Sequence, residues 1–297
     1  MAFQHAMTPI LGAQHLRKRL TKGVLFTVAL VATVIYIFPL FWMLSTSLKA
    51  PADIMRDPPL IVPRSLNTGI YEELFGNPPE GAQVPVDGVR YMKNSLILGA
   101  GTMALTMLFA IPAAYGLARF RLRGSGLFVM MLLVTQMLPE VLLVIPLFVF
   151  FRSLHFTDSY ISVIIADAAL TLPFCILILR TGFLQVPRDL EEAALIDGTT
   201  RLGALRRVIV PLVRPNLVAV MLFAFLVGWG DFVFSLSFLQ NQELHPLALG
   251  IYNFIGYYRI RWEGVMAFST IIALPVIVII LALQRYFVTG LTAGSVK

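Results

Sequence analysis

Three carboxylates stand inside long apolar runs of this sequence: Glu140 directly after Pro139, Asp167 in the middle of a run, and Asp231 close behind Trp229. A carboxylate near the middle of a bilayer costs at least about 2.5 to 3.5 kcal/mol, so each is expected to face a cavity or a partner helix and not lipid. Lining a solute path is one chemistry open to them, with Gln136 and Trp229 placed to hydrogen-bond to and stack against a polar cargo. An interhelical hydrogen bond or ion pair is the competing reading for the acids, and anchoring at a membrane interface for the tryptophan. Catalytic spacing is missing: the sequence has no G-x-x-x-x-G-K-[ST] phosphate loop, no nucleophile elbow and no H-E-x-x-H. His5, His15, His155 and His245 are isolated and lack metal-site spacing, and the single Cys175 leaves no intrachain disulfide. No catalytic, cofactor or metal residue is therefore assigned.

The elements that must position these residues follow from composition. Of 297 residues, 58% are hydrophobic and only 13% charged, against about 25% charged in soluble domains. The expected fold class is an all-α integral membrane protein. A net charge of +7 is carried by basic residues scattered at the ends of apolar runs, not gathered in a patch, which argues against nucleic acid as a partner. Six apolar runs are long enough to cross a hydrocarbon core of about 30 Å: residues 24–44, 96–118, 127–151, 159–179, 213–234 and 265–287. Run 24–44 is too long for a signal-peptide core and is read as a retained span behind a polar arm, residues 1–23. Residues 288–297 form a tail. Pro112, Pro139, Pro146, Pro173 and Pro275 are expected to kink the spans.

Orientation comes from Lys and Arg on alternate sides. Fifteen of the 23 fall on the side of the two termini, residues 119–123 and residues 180–214, leaving eight opposite. The positive-inside rule then places both termini in the cytoplasm of a multi-pass protein of the cell membrane. Outside lie residues 49–93, rich in Pro and Gly and expected to form turns or a small cap, and residues 235–264, whose Tyr252, Tyr257, Tyr258 and Trp262 are read mainly as an interfacial belt.

One polar stretch on the inner side, residues 186–215, is too short for a domain and lies between two apolar runs: VPRDLEEAALIDGTTRLGALRRVIVPLVRP. Asp189 and Glu192 have capping-box spacing, which predicts a helix from about Leu190. Gly198 follows where a residue tolerant of positive φ is needed, and Thr199 or Thr200 can cap a second helix that Pro211 and Pro215 limit. Two readings fit this pattern: a docking surface, or an amphipathic segment lying on lipid headgroups.

At these residues the chain resembles the permease subunits of binding-protein-dependent ABC importers. Glu192, Ala193, Ala194, Asp197, Gly198 and Pro211 fall in the register of that family's EAA loop, with Val208 and Val210 where Ile and Leu are usual. NSLILGAGTMALTMLFAIPAAYGLARF from Asn94, TLPFCILILRTGF from Thr171 and the tail GLTAGSVK from Gly290 look like the carbohydrate branch, of the maltose-permease G type. In WGDF, from Trp229 to Phe232, Gly230 stands where the branch usually has Asn. The resemblance implies a type I importer permease, with the EAA loop as a coupling helix in a groove of a cytoplasmic ATPase. It further implies a second homologous permease, two ATPase copies that bind ATP and Mg, and an external solute-binding protein. Disaccharides or oligosaccharides are the implied cargo, with glycerol-phosphate or polyols as alternatives. A self-powered secondary transporter, with Asp167 or Glu140 relaying protons, is the rival from another class.

Overall fold

The computed structural model describes residues 8–76, 86–256 and 259–292. Helix α1, Thr8–Ser47, is followed by two short helices, α2 Pro51–Ile54 and α3 Gly69–Phe75. The 32-residue α4, Gly88–Arg119, leads to α5, Ser125–Thr135, and α6, Glu140–Ser153. Next come α7, Tyr160–Gln185, then α8, Arg188–Ile196, and α9, Arg201–Ala204. A π-helical turn, Leu205–Ile209, joins α9 to α10, Val210–Leu212, and α11, Arg214–Gly230. Short helices α12, Val233–Phe238, and α13, Leu247–Gly250, precede the long α14, Trp262–Thr292.

Among the described residues four stretches are each long and apolar enough to cross a bilayer: Leu20–Ser47, Gly88–Arg119, Tyr160–Gln185 and Trp262–Gln284. The number reaches six if each of two bent pairs makes one span. Those bends correct the sequence reading. The expected continuous span 127–151 is broken into α5 and α6, which meet at 99°. Helix α5 runs out in bonds of short reach, Gln136 N–H to Leu133 O, Met137 to Val134 and Leu138 to Thr135. Pro139 then enters with extended backbone (φ −61°, ψ 130°) and starts α6 afresh. Pro112, Pro146, Pro173 and Pro275 lie inside helices. The expected span 213–234 also stops early, at Gly230. Asp231 is extended, and its carboxylate accepts from Phe234 N–H (3.3 Å) and Ser235 N–H (2.8 Å) to start α12. At the amino end the helix reaches back to Thr8, ahead of the candidate span Leu20–Ser47, so the described part of the polar arm is helical; residues 1–7 and 293–297 lie outside the described residues.

Helices α4, α7 and α11 form the centre of the bundle. Gly228 of α11 lets α4 come close: a Cβ there would stand 2.6 Å from Thr102 Oγ1 and 2.8 Å from Leu98 O. Across the α4–α7 face Thr106 and Thr171 share a hydrogen bond of 2.8 Å. Helix α1 packs along α14, and the apolar part of α1 is otherwise exposed on this chain.

The two segments expected on the outer side meet at one end of the bundle, together with the turn at Asp158. Arg261 pairs bidentately with Glu73 of α3, at 3.0 and 2.8 Å, and with Glu263. The Glu73 hydrogen bond is the main cause that holds Arg261 protonated above its ordinary value. Asn94 of α4 donates to Glu243 O and His245 O and accepts from Tyr160 of α7. Asp158 accepts from Gln240 and Asn241 N–H. Tyr252 stacks on Phe232; Tyr257 and Tyr258 lie outside the described residues.

Candidate functional site

At the other end of the bundle, α8 and α9 project as the two short helices expected from residues 186–215. Their details differ from the sequence reading at the start and agree with it at the corner. Helix α8 begins at Arg188, its cap position is Pro187, and no side chain caps it. The Asp189–Glu192 capping box is therefore not formed, because proline sets the extended entry two residues early; Asp189 instead lies in the first turn, where its charge complements the helix dipole. Gly198 has φ +81°, the left-handed value a turn requires here, and its N–H bonds Leu195 O. Of the two threonines, Thr200 is the cap, its Oγ1 accepting from Gly203 N–H at 3.1 Å. The π turn ahead of Pro211 has Val210 N–H reaching back five residues to Leu205 O; Pro211, with no N–H, has no ladder bond to return to.

The EAA residues sit on a surface. Glu192, Ala193, Asp197 and Gly198 are exposed, while Ala194 and Pro211 are half-buried. Ile196 is 85% exposed, an unusual position for a large apolar side chain at the tip of a protrusion. Arg119, Arg188, Glu191, Glu192, Leu195 and Arg201 line a polar groove of about 180 Å³ beside α8.

Sequence reasoning overlooked what holds this protrusion. Glu191, next to the motif residue Glu192, is buried between Tyr115 and Arg119 at the end of α4. Tyr115 and Arg119 are four residues apart on one helix, a spacing that places them on one face and that could have drawn attention to them. Arg201, at the start of α9, lies over the Phe120 ring at 5.1 Å.

The second group of expected residues lies within the bundle. Asp167 is 1% exposed and accepts from Thr102 Oγ1 at 3.4 Å. Glu140 stands at the start of α6, Asp167 in α7 and Asp231 at the α11–α12 break. Gln136 reaches α7 by donating to Leu170 O at 3.2 Å. Trp229 is buried, stacked on Phe225, and donates Nε1–H to Ile272 O at 3.2 Å, so in this conformation its ring and donor are engaged in packing. A Cβ at Gly230 would meet no atom within 4 Å, so that position borders open space. Among the described residues no group of His, Cys, Asp and Glu has metal-binding geometry.

Comparison with known proteins gives this arrangement a context. Residues 106–292 match the family described as binding-protein-dependent transport system inner membrane component. The sulfoquinovosyl glycerol transport system permease protein SmoH of Agrobacterium fabrum is 34% identical over 93% of this chain and 94% of its own length. The trehalose/maltose transport system permease protein MalG of Thermococcus litoralis is 31% identical over 95% of this chain and 99% of its own. A chain of a bacterial ABC transporter that imports the acidic polysaccharide alginate has the same fold, with a TM-score of 0.74 at 20% identity over 91% of this chain and 98% of that one. With its bundle of apolar helices and its projecting EAA corner, the chain belongs to the binding-protein-dependent transport system inner membrane component family.

Proposed function

We propose that this chain is one permease subunit of an ATP-driven carbohydrate importer, forming half of a translocation path with a second, similar permease. Two copies of a cytoplasmic ATPase supply the energy, binding ATP and Mg themselves, and an external solute-binding protein delivers the cargo. The observation that carries the coupling part of this reading is α8: nine residues with one buried, the motif's acid and first alanine turned outward, and a left-handed glycine at its end. Such a helix buries too little to be a core element, and its small residues permit close approach by a groove on another protein. Glu192 would meet a basic group there.

A carbohydrate is proposed from the cargoes in the names of SmoH and MalG, sulfoquinovosyl glycerol and trehalose or maltose. Gln136, Glu140, Asp167 and Asp231 are the proposed polar lining, with Trp229 as the packed wall behind them; the open space at Gly230 adjoins Asp231. The docking end is placed in the cytoplasm, together with both termini, because fifteen of the 23 basic residues lie on that side. Closure of the ATPase pair would then drag α8 as a lever and switch the bundle from inward- to outward-facing, a shift between two populated states.

The test is uptake by proteoliposomes holding this chain with its co-purifying permease and ATPase, binding protein outside and ATP inside. Accumulation of a labelled disaccharide that requires ATP is expected. Accumulation of glycerol-phosphate or a polyol in its place would correct the cargo. Uptake driven by a proton gradient with the ATPase omitted would overturn the reading in favour of a secondary transporter.

A further inference from the structure

Helix α8 follows α7 through Val186 and Pro187, and two further points tie it to the rest of the molecule. One is the Gly198 corner, which leads through α9 and the π turn into α11. The other is Glu191, the single buried residue of the nine in α8. Its Oε1 accepts from the Tyr115 phenol, and its Oε2 lies 2.8 Å from Arg119 Nε. The Arg119 and Glu191 side chains are only 5% and 9% exposed. Although close, the Arg119 Nε–H is off the hydrogen-bond line, so that contact is an ion pair and Tyr115 supplies the directional bond. Arg119 Nη2 donates in addition to Val186 O at 3.0 Å, tying in the end of α7. Tyr115 is itself held edge-on against Phe183 and Phe120.

An ion pair taken out of water contributes little net stability, because desolvation offsets the attraction; apolar side chains of similar size would hold the two helices at least as well. What apolar contacts do not supply is a fixed direction. Here a phenol and a guanidinium of α4 fix one carboxylate at the only buried point of α8, and the guanidinium is itself held by the Val186 carbonyl. The neighbouring Glu192 is exposed and free to meet a partner. The two acids are adjacent in sequence and divide the work: one faces outward, the other anchors.

We propose that Tyr115, Arg119 and Glu191 form a rigid joint through which force on α8 enters α4, making Glu191 a positioning residue for energy coupling. The proposal rests on the coupling role given to α8 above. The Gly198 corner delivers force to α11, and α4 and α11 are locked at the Gly228–Thr102 crossing. A lever held at Gly198 and at Glu191 drives that pair as one body, whereas a lever without the Glu191 joint would rock between its chain ends at Pro187 and Gly198.

The experiment uses the complete importer in proteoliposomes and reads solute imported per ATP hydrolysed, together with hydrogen exchange of the α8 amides in the assembled complex. Glu191→Gln removes the charge and keeps the shape; Tyr115→Phe removes only the directional bond. Glu191→Gln is expected to lower import per ATP by about fivefold or more, the low end of ordinary coupling between sites, and Tyr115→Phe by about twofold. Both should speed α8 exchange while hydrolysis and assembly persist. Import per ATP equal to wild type in both variants would overturn the proposal, as would a parallel loss of hydrolysis and import at an unchanged ratio, the mark of a purely structural pair. If Glu191→Gln does not assemble, Tyr115→Phe decides. A wild-type complex that imports nothing with ATP would instead refute the importer reading, and α8 exchange in the variants would still report whether the joint exists.

Discussion

At the docking end, Glu191 is gripped by side chains from a helix 76 positions away while Glu192 beside it is left exposed. At the α11–α12 break, Asp231 is equally buried but bonds to backbone N–H groups three and four residues ahead of it. The first carboxylate joins two elements and transmits between them; the second starts a helix. Both are buried carboxylates, so what separates a joint from a cap is the sequence distance of the partner. Helix α4, which carries the partners of the first, packs on α11, which ends at the second, and their close crossing is at Gly228.

The largest effect should come from that crossing. Gly228→Leu would drive a side chain into Thr102 and the Leu98 carbonyl, and overpacking of about 1–3 kcal/mol or more at a backbone contact should leave little monodisperse protein on detergent extraction. Next is Gly198→Pro. Proline cannot adopt φ +81° and removes the N–H bonded to Leu195 O, so uptake should fall about tenfold or more with the complex still inserted. Glu192→Lys should cut import per ATP by about fivefold while hydrolysis continues, because it reverses the charge presented to the ATPase. In the other region, Asp231→Ala should lower thermal stability of the complex by about 1 kcal/mol and Asp231→Asn by only a few tenths, since asparagine caps nearly as well. Loss of uptake in Asp231→Asn at unchanged stability would then report a role in the solute path. The smallest effect is expected for Arg90→Ala, whose partner Glu243 is 3.9 Å away and largely exposed. Such a pair contributes about 0–1 kcal/mol, and neither the melting temperature nor uptake should move measurably.

The same contrast explains what was legible in the sequence. The Gly198 corner and a threonine cap were readable because turn chemistry is local. The capping box at Asp189 was misread, since a proline two residues earlier set the helix entry. Hydropathy located the apolar runs but carries no direction, so it could not tell Pro139, where the chain turns by 99°, from Pro112 or Pro173, which stay inside helices. Glu191 was passed over because the motif's spacing points to Glu192, and its partners in α4 come together with it only in the folded chain.

The central claim is that the energy for transport enters through α8 from another protein. Proteoliposomes containing the complete assembly, with ATP inside and solute-binding protein outside, should concentrate a labelled disaccharide, and vesicles holding this chain alone should concentrate nothing under ATP or a proton gradient. Uphill uptake by the chain alone would contradict the account.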